Sequence, residues 1–334
     1  MARRGENQPV LDSITEHGTT RRRPVNVSAK PETRLQVSVI IPTHDRREKL
    51  LRLLESIGQS DLDPDQWEVI VVCDNCTDGT PEALKENFSN VRVLQTPQAS
   101  EGNLSGSAVA RHLGAQAAIF PFLCFIDDDN VIAPDMLRTL GDELSRNPTI
   151  GALGPLMLRW PDGTRVWSAG MRVNRMHFNH YIKKDHELSR TDDRGLLAPC
   201  DFVPNVYCTT KATLTKVPFD YVSFPHNGSE LDWSLRLRDA GLQVRVTMMT
   251  TTWHDIGYRS LTTRIDQPGQ VRDQSCARIR IRRRHRRTFG PMIWFWLAWF
   301  MPISTYFFLR FLVERRVFIL GRAYIKGTIE GLSN

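Results

Sequence analysis

Three consecutive carboxylates, Asp127, Asp128 and Asp129, directly follow the apolar run FLCFI. In an extended segment, residues two apart point the same way, so Asp127 and Asp129 are expected to converge on one cation while Asp128 faces elsewhere. Oxygen ligands suit Mg²⁺ or Mn²⁺, which binds through one or two carboxylates together with the phosphates of its substrate. The run therefore predicts a metal-assisted diphosphate site, with a solvated acidic turn or a helix cap as the alternative.

A second pair of carboxylates, Glu230 and Asp232, lies in the segment SELDWSLRLRDAG. In a helix the two side chains project about 200° apart, at roughly 100° per residue, so only one of them can face a shared substrate. The one that does is a candidate general base. Asp232 can instead pair with Arg236 one turn later. Glu230 also fits an ordinary first-turn carboxylate that the helix dipole favours.

These carboxylates need a framework, which the chain supplies as strands that alternate with helices. The runs VSVIIP, WEVIVV, VRVLQT and FLCFI predict strands buried on both faces, and helical spacing follows each of the first three. Such alternation implies right-handed crossovers and a mostly parallel, doubly wound α/β sheet with helices on both faces. Ligands of these sheets bind at the carboxyl ends of the strands, where the acidic run and the loop CDNCTDG both lie.

The chain resembles the inverting family 2 of the glycosyltransferases, which has the GT-A nucleotide-diphospho-sugar transferase fold. The resemblance spans roughly residues 37–260 and rests on the ordered motifs VSVIIPTHDR, EVIVVCDNCTDGT, GSAVARHLG, FIDDDN and SELDWSLRLRDAG. It implies transfer from a nucleotide-diphosphate sugar to a hydroxyl of a glycan or lipid-linked glycan, with Mn²⁺ or Mg²⁺ as cofactor. The Gln-x-x-Arg-Trp motif of the family's processive synthases is missing from the sequence, which favours transfer of a single sugar.

The resemblance also implies a set of residues that bind the nucleotide sugar: Pro42, Thr43, Asp74, Arg111, Asp127 and Asp128. Pro42 and Thr43 are expected to line the nucleoside pocket, although Pro42 also fits a simple strand terminator. Asp74 is expected to accept a hydrogen bond from the base. Arg111 is expected to reach the nucleotide, the alternative being a solvent-facing helix residue. The sequence has Cys73 before Asp74 and Asn75-Cys76 after it, where the family more often has Asp-Asp-Gly-Ser, so the base contact depends on Asp74 alone.

The same resemblance places the metal on Asp127, Asp129 and His254, the last of these through a neutral imidazole. A lone histidine is also often a satisfied polar residue, and that alternative stays open. On the acceptor side, Glu230 aligns with the catalytic member of the family's acidic pair, and Asp232 is the second candidate. Ser229 stands where the family has a preceding acid, so a supporting carboxylate is missing there.

Composition divides the chain into three expected parts. With 41% hydrophobic and 24% charged residues in 334, the chain is expected to be globular rather than disordered or a multi-span membrane protein. We expect a disordered basic tail at residues 1–36 and the GT-A domain at residues 37–265. We expect residues 266–334 to form an arginine-rich and apolar helical segment that associates with a membrane. Six scattered cysteines and no apolar run at the start indicate a reduced, cytoplasmic setting.

The third part combines charge with apolar character. Seven arginines lie between Arg278 and Arg287, and the run from Pro291 to Leu309 has no charged residue. Arginines beside aromatic residues are typical of an anchor at an anionic membrane surface. Pro302 interrupts the run and arginines flank both of its ends, which favours a monotopic or re-entrant association at the cytoplasmic face over a true span. A buried core helix is the remaining alternative.

Two other functions compete with the transferase. A sugar nucleotidylyltransferase would have a glycine-rich, lysine-bearing loop after the first strand, and PTHDRREK is not one. A non-catalytic binder driven by the arginine run could use a membrane surface or nucleic acid. No nucleic-acid-binding motif accompanies the run, so no nucleic acid partner is expected.

Overall fold

Four of the apolar runs form parallel strands in the computed structural model of the chain. They are β1 (Val37–Thr43), β2 (Trp67–Cys73), β3 (Val91–Gln95) and β4 (Phe122–Ile126), in the order β3-β2-β1-β4. Every residue of β1 is buried. Continuous β-branched runs suit such strands because a parallel sheet is covered on both faces. The doubly wound part of the expected fold is confirmed.

The structure describes residues 34–98, 105–161, 163–174, 179–188, 195–197, 199–256, 268–311 and 317–333. The expected tail, residues 1–36, lies almost entirely outside these ranges. The expected domain boundary after residue 265 also lies outside them. The described residues from Leu35 onward form one compact unit.

Helices α1 (Arg47–Ile57), α2 (Thr80–Asn87) and α3 (Ser107–Ala117) connect the parallel strands. The apolar residues of α1 that recur at helical spacing are buried against the sheet. In α3, Gly114 permits a close approach, because a Cβ there would lie 2.4 Å from the side chain of Ile40 in β1. This packing holds Arg111, in the first half of α3, near the carboxyl ends of the strands.

The second half of the main sheet is mixed. It contains β5 (Asn130–Ile132), β6 (Ile150–Arg159), β7 (Val166–Ser168), β10 (Val206–Thr210) and β11 (Gln243–His254). Strand β10 lies antiparallel between β4 and β6, β11 is parallel to β6, and β5 and β7 pair antiparallel at the margins. The sheet is thus less parallel than expected, because β10 lies antiparallel beside β4, and β5 and β7 pair antiparallel with β11 and β6.

Two helices and a separate pair of strands also belong to this half of the molecule. Helix α4 (Met136–Arg146) packs on the sheet between β5 and β6, and α5 (Lys211–Lys216) follows β10. Strands β8 (Met171–Val173) and β9 (Asn179–Tyr181) form a separate antiparallel pair.

The remaining helices are α6 (Ser229–Asp239), α7 (Pro268–Arg284), α8 (Arg286–Phe289), α9 (Met292–Phe295), a π-helical turn at Trp296–Phe300, α10 (Met301–Phe311) and α11 (Val317–Ser333). Helix α7 packs Ala277 and Ile281 on Leu231 and Leu235 of α6, within one apolar cluster. The first half of the arginine-rich segment therefore contacts the domain itself. None of the helices in the described ranges is long and apolar enough to span a membrane.

Candidate active site

Asp128 shares one nitrogen of Arg46 with Asp129, 3.0 Å from each carboxylate, so it does not face away from both neighbours as its position in an extended segment predicts. Its side chain is buried, with Oδ2 accepting a hydrogen bond from the Thr43 hydroxyl at 2.8 Å and Oδ1 accepting one from Arg46 at 3.0 Å. Burial raises the pKa of Asp128 to about 6. These contacts fix the loop between β4 and β5 against the end of β1.

Asp129 lies between a cation and an imidazole. Its Oδ2 accepts a hydrogen bond from Arg46 at 3.0 Å, and its Oδ1 lies 3.3 Å from Nε2 of His254 at the end of β11. Burial acts to raise the pKa of Asp129, but the hydrogen bond and charge of His254, together with Arg46, outweigh burial and lower it. The carboxylate is therefore ionised near neutral pH.

Three side chains contact the imidazole of His254, those of Asp129, Trp167 and Asn205. The indole ring of Trp167 meets it edge to face, with ring centroids 4.4 Å apart, and the Asn205 amide lies 2.8 Å from Nε2. Asn205 has a left-handed backbone (φ 62°), which polar asparagine tolerates better than most residues. On the other side of the ring, Nδ1 is buried and has no hydrogen-bond partner among the described residues. The imidazole is thus oriented with Nε2 toward Asp129.

Asp127 pairs with a buried arginine instead of facing Asp129. Arg111 is 2% exposed and donates to Asp127 Oδ1 at 2.5 Å and to Glu230 Oε1 at 2.7 Å. Burial acts to lower the pKa of Arg111, but the charges of Glu230 and Asp127 outweigh burial and raise it. One guanidinium therefore joins the acidic run after β4 to the first turn of α6.

The residues expected to hold a metal are partly brought together. Two ligands of one octahedral cation, each at 2.0–2.1 Å, lie about 3 Å apart, and the 3.3 Å between Asp129 Oδ1 and His254 Nε2 fits that arrangement. Within the described ranges, Asp127, Asp129 and His254 do not each bring a ligand atom within 4.8 Å of the other two. Asp129 and His254 thus suit a divalent cation, whereas Asp127 is turned toward Arg111.

A cleft of about 500 Å³ opens at the edge of the sheet where the strands end. It is lined by His44, Asp74, Asn75, Gln98, Ser105 and His226. The Asp74 carboxylate is held in place by hydrogen bonds from Thr96 at 2.8 Å and Asn75 at 3.2 Å. The cleft lies at the carboxyl ends of β1 and β2, where an α/β sheet binds its ligands.

Of the two residues expected to line a nucleoside pocket, neither lines this cleft. Pro42 and Thr43 are both buried in β1. His44, the next residue, takes that position, and its Nδ1 lies 2.5 Å from the carbonyl oxygen of Asp74. This backbone hydrogen bond, which favours the protonated ring, raises the pKa of His44. Thr43 instead supports the site indirectly through Asp128.

Asp232 lies on the opposite side of α6 from Glu230. It is fully buried and bonds to Arg236 at 2.8 Å, Arg284 at 3.0 Å and His285 at 2.9 Å. The expected pair with Arg236 is present, and two partners from α7 and its C-terminal end add to it. Asp232 therefore ties α6 to the arginine-rich segment, while Glu230 faces Arg111 and the acidic run.

Sequence reasoning missed two polar residues of the site, Arg46 and Asn205. Arg46 bridges Asp128 and Asp129 across 82 and 83 residues, and Asn205 bonds to a histidine 49 residues later. Arg46 stands in the charged run HDRREK, which is typical of a solvated helix start. No periodicity in the chain indicates either contact.

The model of the family described as glycosyl transferase family 2 matches residues 38–199. That range contains β1 to β4, the cleft residues up to Ser105, Arg111 and the acidic run. Glu230 and His254 lie beyond it.

Two curated relatives are similar to part of the chain. Over 106 residues the chain is 31% identical to the poly(ribitol-phosphate) beta-N-acetylglucosaminyltransferase TarS of Staphylococcus aureus, an alignment covering 31% of this chain and 18% of that protein. Over 141 residues it is 33% identical to the N-acetylglucosaminyl-diphospho-decaprenol L-rhamnosyltransferase of Mycobacterium tuberculosis, covering 39% of this chain and 44% of that one. The chain therefore matches less than half the length of either relative.

One solved structure matches nearly the whole chain. The mannosyltransferase PcManGT from Pyrobaculum calidifontis, in complex with GDP-Man and Mn²⁺, superposes with a TM-score of 0.53 and covers 93% of this chain and 91% of its own. The two chains are 15% identical, so the likeness shows the fold alone. The expected GT-A fold is thereby confirmed.

Proposed function

Because the chain carries a family 2 glycosyltransferase domain with the GT-A fold, we propose that it transfers a single sugar from a nucleotide-diphosphate sugar to an acceptor hydroxyl, with inversion. The observation that carries this proposal is the double ion pair of Arg111, which brings Glu230 next to the acidic run. A candidate base and a candidate diphosphate site thus meet at one edge of the sheet.

The donor nucleotide would lie in the cleft beside Asp74. This carboxylate is fixed by Thr96 and Asn75, so it can accept a hydrogen bond from a base without first being ordered. His44 and His226 offer further ring contacts on the walls of the cleft. The diphosphate would then point toward the acidic run, because the cleft and the run share the carboxyl edge of the sheet.

Asp129 and His254 would hold Mn²⁺ or Mg²⁺. When bound, the cation would supply positive charge to the departing diphosphate. Arg46 would remain beside it as a fixed cation on Asp128 and Asp129. The complex of PcManGT with Mn²⁺ supports this choice of cofactor.

Glu230 would act as the general base. The acceptor oxygen would bond to the anomeric carbon on the face opposite the diphosphate, as the bond from that carbon to the diphosphate oxygen breaks. The proton of the hydroxyl would pass to Glu230. Arg111 at 2.7 Å and the Ser229 hydroxyl at 3.0 Å orient the carboxylate for this role. Asp232 is a weaker candidate, since its surroundings are filled by Arg236, Arg284 and His285.

The acceptor we propose is a glycan or a lipid-linked glycan. The names of the two relatives give poly(ribitol-phosphate) and N-acetylglucosaminyl-diphospho-decaprenol as their acceptors. We also propose peripheral association with an anionic membrane surface. Large apolar side chains on α10 and α11 that are at least half exposed support it: Met301, Phe308, Leu309, Phe318, Ile319, Ile325 and Ile329.

A thermal-shift screen of nucleoside diphosphates with Mn²⁺ tests the donor and metal together. A ligand that binds only the folded state raises the melting temperature by mass action. We expect one nucleoside diphosphate to raise it in the presence of Mn²⁺, and the shift to disappear in Asp74→Ala. Asp142→Ala, on α4 with a side chain 41% exposed, is the matched control and should keep the shift. A wild-type protein stabilised by none of the nucleotides would contradict the proposal.

A further inference from the structure

A second cavity, separate from the nucleotide cleft, lies on the Asp232 side of α6. Its volume is about 290 Å³, and it is lined by Ser223, Arg280, Arg283, Arg284, Arg286 and Gly331. Four of these six residues are arginines and none is acidic. The cavity therefore has a concentrated positive charge.

The fold builds this cavity from four segments. Helix α7 supplies three arginines within about one turn, α8 supplies Arg286, and Ser223 comes from the loop that precedes α6. The end of α11 forms the last wall. Helix α11 lies close to α7 because two glycines of α11, Gly327 and Gly331, face α7. A Cβ at Gly327 would lie 2.1 Å from the carbonyl oxygen of Arg272, and one at Gly331 would lie 2.7 Å from Cβ of Ile279.

Among the residues that the structure describes, carboxylates pair with one of the four arginines, Arg284. Arg284 bonds to Asp232 at 3.0 Å and to Asp220 at 2.7 Å. Asp220 and Asp232 therefore offset the charge of that residue, and Asp232 is shared further with Arg236 and His285.

The other arginines keep their charge and much of their donor capacity. Arg280 donates to the carbonyl oxygen of Ser223 at 2.6 Å, and Arg283 donates to those of Gly331, at 3.1 Å, and Leu332. Carbonyl oxygens do not neutralise a guanidinium, which has five N–H donors. The Nε of Arg280 is buried and has no hydrogen-bond partner among the described residues. Arg286 is exposed, so the cavity holds donors and charge beyond those its own structure uses.

We propose that this cavity binds a phosphate group, as a monoester or diester, independently of the sugar donor. Guanidinium groups match the geometry of phosphate oxygens, and several of them around one small volume favour an anion with more than two acceptor oxygens. A divalent cation would be repelled there. The phosphate can belong to a soluble ester or to a lipid headgroup, and both present the same atoms to the arginines.

Calorimetric titration of the full chain with glycerol phosphate, at constant ionic strength and with a chelator present, tests the soluble source. Arg280→Gln/Arg286→Gln should weaken binding at least about tenfold, the effect of losing one charge-assisted hydrogen bond. Arg286→Gln alone should weaken it measurably. This variant keeps the proposal testable if the double variant fails to fold, because Arg286 is exposed. Arg287→Gln, the exposed neighbour outside the cavity, is the matched control and should bind as the wild type does.

Vesicles that contain phosphatidic acid test the lipid source in the same variants. Parallel loss of vesicle and glycerol phosphate binding in Arg280→Gln/Arg286→Gln, but not in Arg287→Gln, would identify a lipid headgroup as a ligand of the cavity. Loss of glycerol phosphate binding without loss of vesicle binding would support the proposed site, with a soluble ester as its ligand. Equal effects of the Arg286 and Arg287 substitutions, or no effect of either, would overturn the proposal. Neither arm depends on turnover, so failure of the transferase proposal would not change these outcomes.

Discussion

A single buried guanidinium, that of Arg111, holds together the two halves of the candidate site. It is flanked by Asp127 and Glu230, and each of these carboxylates retains some exposure. A buried charge of this kind is stable only while its partners remain, because desolvation of an unpaired ion costs several kcal/mol. Arg111 therefore has both a structural and a positioning role.

Arg111→Ala should lower the free energy of unfolding by about 3–5 kcal/mol, the usual cost of breaking a buried ion pair. Urea unfolding followed by circular dichroism measures it. Arg146→Ala on α4, an exposed arginine with its own acidic neighbours, is the control and should change stability by less than about 0.5 kcal/mol. A loss of unfolding free energy no greater than in the control would show that the ion pairs of Arg111 do not stabilise the site.

Asp129→Asn should weaken Mn²⁺ binding at least about tenfold, since even outer-shell partners of a metal site contribute that much. The signal of free Mn²⁺ in electron paramagnetic resonance measures the affinity directly, without turnover. His254→Ala should show a loss of similar size, because the two groups form one ligand pair. Unchanged Mn²⁺ affinity in both variants would remove the metal site from these residues.

At the residue scale, the sequence predicts neither the directions nor the partners of the side chains in the acidic run. Alternation along an extended segment predicts that Asp128 faces away from its neighbours, but in the structure Asp128 and Asp129 contact the same nitrogen of Arg46. Alternation also predicts that Asp127 and Asp129 converge, but in the structure the Asp127 carboxylate forms an ion pair with Arg111 instead. The local pattern could not indicate this, because the attraction of a buried cation from another element outweighs the intrinsic direction of the strand.

At the scale of elements, the two carboxylates of α6, Glu230 and Asp232, have different roles. Glu230 faces the site, and Asp232 joins α6 to α7 and to His285. Burial acts to raise the pKa of Asp232, but the hydrogen bond from His285 and the charges of Arg236 and Arg284 outweigh burial and lower it. The folded carboxyl thus has a lower pKa than the unfolded one.

The stability that Asp232 contributes should therefore depend on pH. It is fully present above the unfolded pKa of about 4 and is lost as the pH falls through the lower, folded pKa. Asp232→Asn should cost about 3 kcal/mol at pH 6, and the difference from the wild type should shrink as the pH falls below about 4. Thermal or urea unfolding across this pH range measures it. A difference that stays constant down to pH 2 would contradict the assigned network.

The sequence predicts the first four strands and their helices because burial on both faces imposes continuous β-branched runs. It does not predict strand β10, whose antiparallel place between β4 and β6 depends on a long excursion of the chain. Composition alone predicts that the arginine run contacts a membrane. In the structure several of its members bond to the protein, as Arg282 does to the carbonyl oxygen of Phe289.

At the scale of the whole molecule, apolar side chains are exposed on α10 and α11, away from the cluster that joins α6 to α7. Phe308→Glu/Leu309→Glu should lower binding to anionic vesicles at least about tenfold, since burial of each side chain in lipid would contribute 1.5–3 kcal/mol. Phe308 and Leu309 are 62% and 57% exposed, and Val222→Glu, at a site 60% exposed outside these helices, is the matched control. Equal cosedimentation of all three proteins would refute the membrane proposal.

The central claim is that Glu230, and not Asp232, takes the proton of the acceptor hydroxyl. The most direct test compares turnover of Glu230→Gln and Asp232→Asn, each corrected for the fraction of protein that is folded and binds the donor. We expect Glu230→Gln to lower turnover at least about 100-fold with donor affinity unchanged, the usual size of a general-base effect. Asp232→Asn should lose stability but keep turnover per folded molecule within about tenfold of the wild type. Near-normal turnover in Glu230→Gln, with its loss in Asp232→Asn, would contradict the account and exchange the two roles.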